Sequence, residues 1–290
     1  IKIKATNQLN GSLEGVTATV ASRQPIYVDG AWATPTANQE RNNPASLFIY
    51  VLKHHGNALP VDDSKIDWSA IEAWSVFCAD KGFIYENILT GQRPMRDVLA
   101  DIAAAGRASI AMPDGKWSVV IDVAKTSIVQ HFTPHNSWGF EGTRLLPKLP
   151  HALRVKFLNR LKDYQPDEML VYNDGYSESN ATLIESIDLP GVTDPSPYGA
   201  VYKLGRFHLE QLILRPEEYV ITTDIEILIC TRGDRVKVMH DVPMWGLGSG
   251  RIKEVVGDVT GVIVDEPVQM EVGKQYPMRW RTATGATNSA

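Results

Sequence analysis

Asp67-Trp68-Ser69-Ala70-Ile71-Glu72-Ala73-Trp74-Ser75-Val76-Phe77-Cys78-Ala79-Asp80-Lys81-Gly82 decides the class of fold. Ile71, Trp74, Phe77 and Cys78 recur at the 3.6-residue period, so one stripe of a helix is dry and the rest is wet. Gly82 stands where a helix ends in a left-handed residue, a conformation that suits glycine. Similar patterns lie on either side. Asn43 can cap a helix whose first residue is Pro44, where a missing N–H costs nothing. Leu47, Phe48, Val51 and Leu52 follow at helical spacing, and Gly56 closes the run. A third helix starts near Pro94, turns Val98, Leu99, Ile102 and Ala103 inward, and ends at Gly106. Then Ser109–Met112 and Trp117–Val120 flank Pro113-Asp114-Gly115, a hairpin signal. Three helices and a hairpin predict a small α+β unit over residues 41–125.

Away from that unit the chain reads as β. Residues 1–40 contain Asn10-Gly11 and Asp29-Gly30, dipeptides suited to tight turns that need φ > 0. Within 126–257, Leu153, Val155 and Phe157 alternate with Arg154 and Lys156, and Asn173-Asp174-Gly175 marks a turn. A fourth helix is predicted from about Ser196 to Leu214. Tyr198, Val201, Tyr202, Gly205, Leu209 and Leu212 line one side of it, and Pro216 stops it. Next, Tyr219, Ile221, Thr223, Ile225, Ile227 and Ile229 point one way, with Glu218, Thr222, Asp224 and Glu226 opposite, as in one long strand. Val236 and Val238 begin another strand. Ile252–Val256 and the stretch containing Val259, Ile263 and Val264 suggest a hairpin, so 258–290 opens a further β segment. Ile1-Lys2-Ile3-Lys4 and Arg279-Trp280-Arg281-Thr282 read as strands cut short, and the expectation is a fragment of a longer protein.

With 290 residues, 43% of them hydrophobic, the chain can bury a sizeable core. A net charge of −5 and a sequence pI near 5.8 lack the basic footprint of nucleic-acid binding. No apolar run approaches the roughly 20 residues that span a bilayer. Cys78 on a helical face and Cys230 at a strand end are expected to be buried thiols rather than a disulfide.

The ionisable residues offer few constellations. Asp224 and Glu226, two apart on a strand, would share one face with Cα atoms about 6.6–6.8 Å apart, a spacing compatible with a glycosidase pair. The polar side of an alternating strand is more simply a solvated face. His131 and His135 suit a metal only on a helix, and Thr133-Pro134 argues against one. His54 and His55 read as pointing to different faces, and His208 reads as a structural residue on the fourth helix. None has a Cys or carboxylate set at zinc spacing. Gly246-Leu247-Gly248-Ser249-Gly250 lacks the lysine and the strand-to-helix context of a phosphate loop. Ser249 lacks the glycines two before and two after it that a nucleophile elbow requires. Trp32, Trp138 and Trp245 sit in loop-like contexts, as plugs of a β structure or as protein or sugar contacts. The expectation is no catalytic, cofactor or metal residue, and no enzyme.

Several short motifs follow one another in a particular order. They are Asn42-Asn43-Pro44-Ala45, Trp68…Trp74…Cys78, Pro94–Leu99, Gly106-Arg107-Ala108-Ser109, Asp114–Val120, His135-Asn136-Ser137-Trp138-Gly139-Phe140, Leu189-Pro190-Gly191-Val192-Thr193, Thr231-Arg232-Gly233-Asp234 and Gly250-Arg251-Ile252-Lys253. In this order and spacing the chain resembles the host-specificity protein J family of long-tailed phages and prophages, in its central hub portion. The resemblance implies an α+β fold, with β-barrel-like hub domains flanking the three-helix unit and the fourth helix against the second barrel. It implies a trimeric ring at the end of the tail tube, beside other tail-tip and tail-tube proteins. The location would be the virion tail, after synthesis in the bacterial cytoplasm. Host contact would fall mainly to downstream regions. The family has no catalytic residues to carry over. The alternatives left open are a tail-associated glycan-processing enzyme using Asp224 and Glu226, and a glycan-binding module using Trp138 or Trp245.

Overall fold

A computed structural model describes residues 24–34, 42–57, 59–89, 92–144, 149–239, 250–257, 261–265, 267–281 and 287–289. In chain order the regular elements begin with β1 (Ile26–Val28), β2 (Ala31–Ala33), α1 (Pro44–Lys53), α2 (Trp68–Lys81), α3 (Met95–Ala105), β3 (Ala108–Ala111) and β4 (Ser118–Ile121). They continue with β5 (Gln130–Phe132), β6 (Ser137–Arg144), β7 (Ala152–Asn159), β8 (Gln165–Tyr172), β9 (Ile184–Asp188) and α4 (Ala200–Leu214). The last are β10 (Glu217–Thr223), β11 (Val236–Val238), β12 (Ile252–Val256), β13 (Gly261–Val264), β14 (Arg279–Arg281) and β15 (Thr287–Ser289). They fall into two units, one within Ile1–Asp122 and Lys148–Leu214, the other within Val123–Pro147 and Arg215–Ala290. This grouping differs from the sequence-based boundaries near 41, 126 and 258. Spatial contact joins β7–β9 and α4 to the three-helix unit.

In the first unit the helix ends form where the caps predict. Asn43 Oδ1 accepts from the Ala45 N–H at 2.9 Å, and its Nδ2 donates to the Ser75 carbonyl at 3.0 Å, so the α1 cap also grips α2. Asp67 Oδ1 accepts from the Ala70 N–H at 3.2 Å, while its Oδ2 takes the Ser118 hydroxyl at 2.9 Å, tying α2 to β4. Gly82 ends α2 at φ 69°. Between these ends, Phe48, Leu52, Ile71, Trp74, Leu99 and Ile102 are buried, and the Phe48 ring meets the Trp74 ring edge-on at 5.7 Å. Trp74 Nε1 donates to the Gly106 carbonyl at 2.9 Å. A Cβ on Gly106 would stand 2.6 Å from that nitrogen, so the close approach requires glycine.

The second layer of this unit is the sheet β8-β7-β9, with β7 antiparallel to β8 and parallel to β9. Leu153, Val155 and Phe157 are buried and Arg154 and Lys156 exposed, as the two-residue period predicts. Helix α4 packs on β7 and β8, bringing Val201, Leu204 and Leu209 inward. It comes close because Gly205 has no side chain; a Cβ there would lie 2.8 Å from Val171 Cγ2. Tyr198 precedes the helix, at φ 60°, and is exposed, so the inward stripe is shorter than its sequence suggests. Leu212 is also exposed.

The second unit contains the two-stranded pairs β5–β11, β6–β10, β12–β13 and β14–β15. Among its described residues only Gln130, Phe132 and Ser137 are buried. Among the described residues the expected β-barrel is not seen: no sheet there closes on itself. Closure needs long strands paired on both edges in a continuous stagger. The stretch expected to supply one such strand stops at Thr223 and turns into a 3-10 segment, Ile225–Ile229. Accordingly, α4 covers the open three-stranded sheet of the first unit and no barrel.

Two outcomes follow from the packing. Gly106→Ala should lower the unfolding free energy by about 1–3 kcal/mol, the usual cost of forcing atoms into a filled core, read as a lower urea midpoint at unchanged slope. Burial holds the His208 imidazole below its ordinary pKa, which favours the neutral ring in the folded chain. That stability is fully present above the unfolded value of about 6.5 and is lost as pH falls through the lower folded value. His208→Gln should therefore show a smaller drop in urea midpoint between neutral and acid pH than the parent chain.

Candidate functional site

The motifs that carry the resemblance converge on joints of the first unit. Glu86 is one. Its Oε1 accepts from Asn42 Nδ2 at 2.9 Å, and its Oε2 accepts from the Thr193 hydroxyl and, at 3.3 Å, from the Tyr164 hydroxyl. Its own N–H donates to the Gly191 carbonyl at 2.7 Å, and the neighbouring Tyr85 N–H donates to Asn42 O at 2.8 Å. Gly191, at φ 76°, lies under the Tyr85 ring, where a Cβ would stand 2.4 Å from a ring carbon. Burial, and then the Glu86 charge, push the Tyr164 phenol above its ordinary range. Four separated segments thus meet at one carboxylate. Neutral donors occupy both of its oxygens, an arrangement that holds segments together and offers no second carboxylate for acid–base exchange.

Arg107 is a second joint. It sits at φ 52°, donates from Nη2 to the Asp122 carbonyl at 2.8 Å, and lies 4.1 Å from the Phe207 ring centre. In the second unit, Asp234 Oδ2 accepts from the N–H and the hydroxyl of Thr231, which closes the Thr231–Asp234 turn. Asn136 closes the β5–β6 turn: its Oδ1 accepts from the Thr133 N–H at 2.7 Å and its Nδ2 donates to His131 O at 3.1 Å.

The chemical candidates separate. Asp224 is not on a strand face; its carboxylate accepts from the Ile225 N–H at 2.8 Å and caps the 3-10 segment. Glu226 falls inside that segment, and its side chain lies outside the described residues. His131 is on β5 and His135 in the following turn. No group of three or more His, Cys, Asp or Glu suited to a metal occurs among the described residues. His54 and His55 do not diverge as expected: their ring centres are 4.3 Å apart. The helix ends at Lys53, and His54 Nδ1 folds back to accept the Gly56 N–H at 3.0 Å. Trp32 packs on Trp68 at 5.7 Å and Tyr27 at 5.4 Å, a structural role. Trp245, Gly246–Ser249 and Asn10-Gly11 lie outside the described residues. Neither cysteine is in a disulfide; Cys78 is buried, which pushes its thiol pKa up, and Cys230 is half-buried.

The surface that sequence periodicity overlooked is apolar. Ile225 is 71% exposed, Leu228 76%, Ile229 56% and Ile227 46%. On the adjoining β6–β10 ribbon Trp138, paired with Thr222, is 55% exposed and Val220 54%. The signal was present in the sequence. Leu228 breaks the alternation by making Ile227-Leu228-Ile229 continuous, and Asp224 is a cap residue standing before an apolar run.

No family model matches the chain, and no curated protein matches it. Among solved structures, the tail protein from Neisseria meningitidis MC58 is similar at 14% identity and a TM-score of 0.41. The similarity covers 59% of this chain and 57% of that one. No helix among the described residues is long and apolar enough to cross a membrane.

Thiol labelling checks the burial. A maleimide added to the native chain should modify the half-buried Cys230 before the fully buried Cys78, which should react only on unfolding, because attack needs an accessible thiolate. Mass spectrometry of labelled peptides reads the difference. Glu86→Ala, which strands the Asn42, Thr193 and Tyr164 donors, should cost about 1–3 kcal/mol in urea unfolding.

Proposed function

We propose that this chain is a structural component of a phage or prophage tail, built to assemble with copies of itself and with other tail proteins at the tail tip. One observation carries this reading: the second unit presents Ile225, Ile227, Leu228 and Ile229 to solvent beside Trp138 and Val220, while burying few of its described residues. An isolated two-stranded ribbon is marginal in water, and several large apolar side chains exposed along one segment mark a protein contact. The ordered motifs supply the kind of assembly, through their resemblance to tail-hub proteins. Those located above serve as caps, turns and close approaches, which suits a rigid subunit without a catalytic role. A cyclic assembly would pair the open strand edges head to tail, the arrangement by which one chain makes a ring.

An Ile227→Asp, Leu228→Asp double variant of the complete tail protein tests this. Tails assembled with it should be missing or truncated in electron micrographs, while Cys78 remains protected from maleimide and so reports a folded first unit. Normal tails from the double variant would overturn the reading. A second reading rests on the exposed indole of Trp138: aromatic faces stack on sugars, and the ribbon would then bind a surface glycan. Loss of glycan retention in Trp138→Ala, with assembly intact, would favour that reading.

A further inference from the structure

The β6–β10 ribbon carries one residue more on β6 than on β10. Val220 pairs with Glu141 and Thr222 with Trp138, so Gly139 and Phe140 together stand opposite Ile221. Gly139 takes φ 62°, the left-handed conformation that opens a bulge of this kind. A Cβ there would lie 3.2 Å from Thr222 Oγ1, a tight approach.

The extra residue changes which way Trp138 points. Side chains two apart on a regular strand share a face, so an unbroken ladder would put Trp138 with Phe140, opposite Thr223. That inner face holds the stacked rings of Phe140 and Tyr219, centres 5.7 Å apart, with Ser137 buried and Ile221 and Thr223 half-buried. The bulge instead brings Trp138 out on the other face, opposite Thr222 and alongside Val220, Glu141 and Glu218, all exposed. Burying an indole is favourable, so a strand serving only its own stability would keep both aromatics on the inner face. This strand interrupts its ladder and leaves the indole in water. Bulges re-aim side chains, and tryptophan is prominent among the residues that anchor protein contacts. The charged side chains that β6 and β10 place on the outer face, Glu141 and Glu218, are both carboxylates.

We propose that this outer face is a docking surface for a protein partner whose own face combines apolar side chains with Lys or Arg, with Trp138 as its anchor and the Gly139 bulge as the device that positions the anchor. The docking surface rests on the reading of the chain as an assembling tail component and adds to it the chemistry of one partner.

Four variants of the complete tail protein test it. Trp138→Ala should lower the number of tails in electron micrographs about tenfold, the scale of a lost contact anchor. A Glu141→Lys, Glu218→Lys double variant should do the same, by facing a basic partner with like charge. Gly139→Val disfavours φ > 0 and hence the bulge. The regular ladder that results carries Trp138 inward, read by mass spectrometry as slower hydroxyl-radical oxidation of the indole, with the same loss of tails. Deleting Gly139 removes the bulge yet keeps Trp138 opposite Thr222, so the indole should stay oxidisable and tails should form. Normal tails from Trp138→Ala or from the charge-reversed variant would overturn the docking surface. An indole equally oxidised in Gly139→Val, or loss of tails on deleting Gly139, would overturn the positioning role. Tails lost in Ile227→Asp, Leu228→Asp but normal in Trp138→Ala would remove this face alone; the reverse pattern would remove the Ile225–Ile229 contact and leave this one.

Discussion

The first unit depends on one hydrogen bond in a dry place. The Trp74 indole, with no exposed surface, must place its N–H against something, since an unpaired donor in a core costs about 1–3 kcal/mol. The Gly106 carbonyl accepts it, at the turn that follows α3. This contact fixes the distance between the middle of α2 and the end of α3. It forbids a side chain at Gly106, because the indole occupies that space. It also sets the direction of the chain leaving the turn. The next residue, Arg107, then takes φ 52° and directs its guanidinium to the Asp122 carbonyl and the face of Phe207 on α4. A single buried donor thereby aligns α2, α3, the start of β3 and the helix of the second layer.

The Glu86 joint works by the same logic with a charge. A carboxylate leaving water needs donors in compensation. Glu86 obtains them from Asn42, Thr193 and Tyr164, residues contributed by the approach to α1, the approach to α4 and the β7–β8 connection. Asn42 and Thr193 belong to motifs whose order marks the resemblance. Their spacing in the sequence records which segments must meet, so packing requirements alone can leave recognisable motifs in a chain.

Local features of the first unit were legible because neighbouring residues determine them. The cap Asn43, the left-handed Gly82, the hairpin about Asp114-Gly115 and the alternation Leu153–Phe157 all depend on residues within a few positions. What was not legible depends on partners distant in the chain. Nothing near Glu86 or Gly191 predicts that they meet, and nothing near Gly205 announces that Val171 will occupy the space beside it. The candidate site was misread for a different reason. Taking every second residue from Tyr219 to Ile229 gave an alternation only by passing over Val220 and Leu228, the two apolar residues on the face read as polar. Both are exposed in the structure, and Asp224 stops the strand between them.

That misreading bears on the contrast between the units. The first satisfies its apolar surface internally, with a core running from Phe48 and Trp74 through Val155 to Val201 and Leu209. In the second, Phe132 is the one buried apolar side chain among the described residues, and its strands pair two by two. Apolar burial is the main term opposing conformational entropy, so ribbons of this kind gain order by covering their faces and edges with further chain. A structure that completes one unit internally and leaves the apolar faces of another open is suited to a subunit whose final form is reached in an assembly. In the proposed assembly the exposed Ile225–Ile229 segment would be covered by a neighbouring chain.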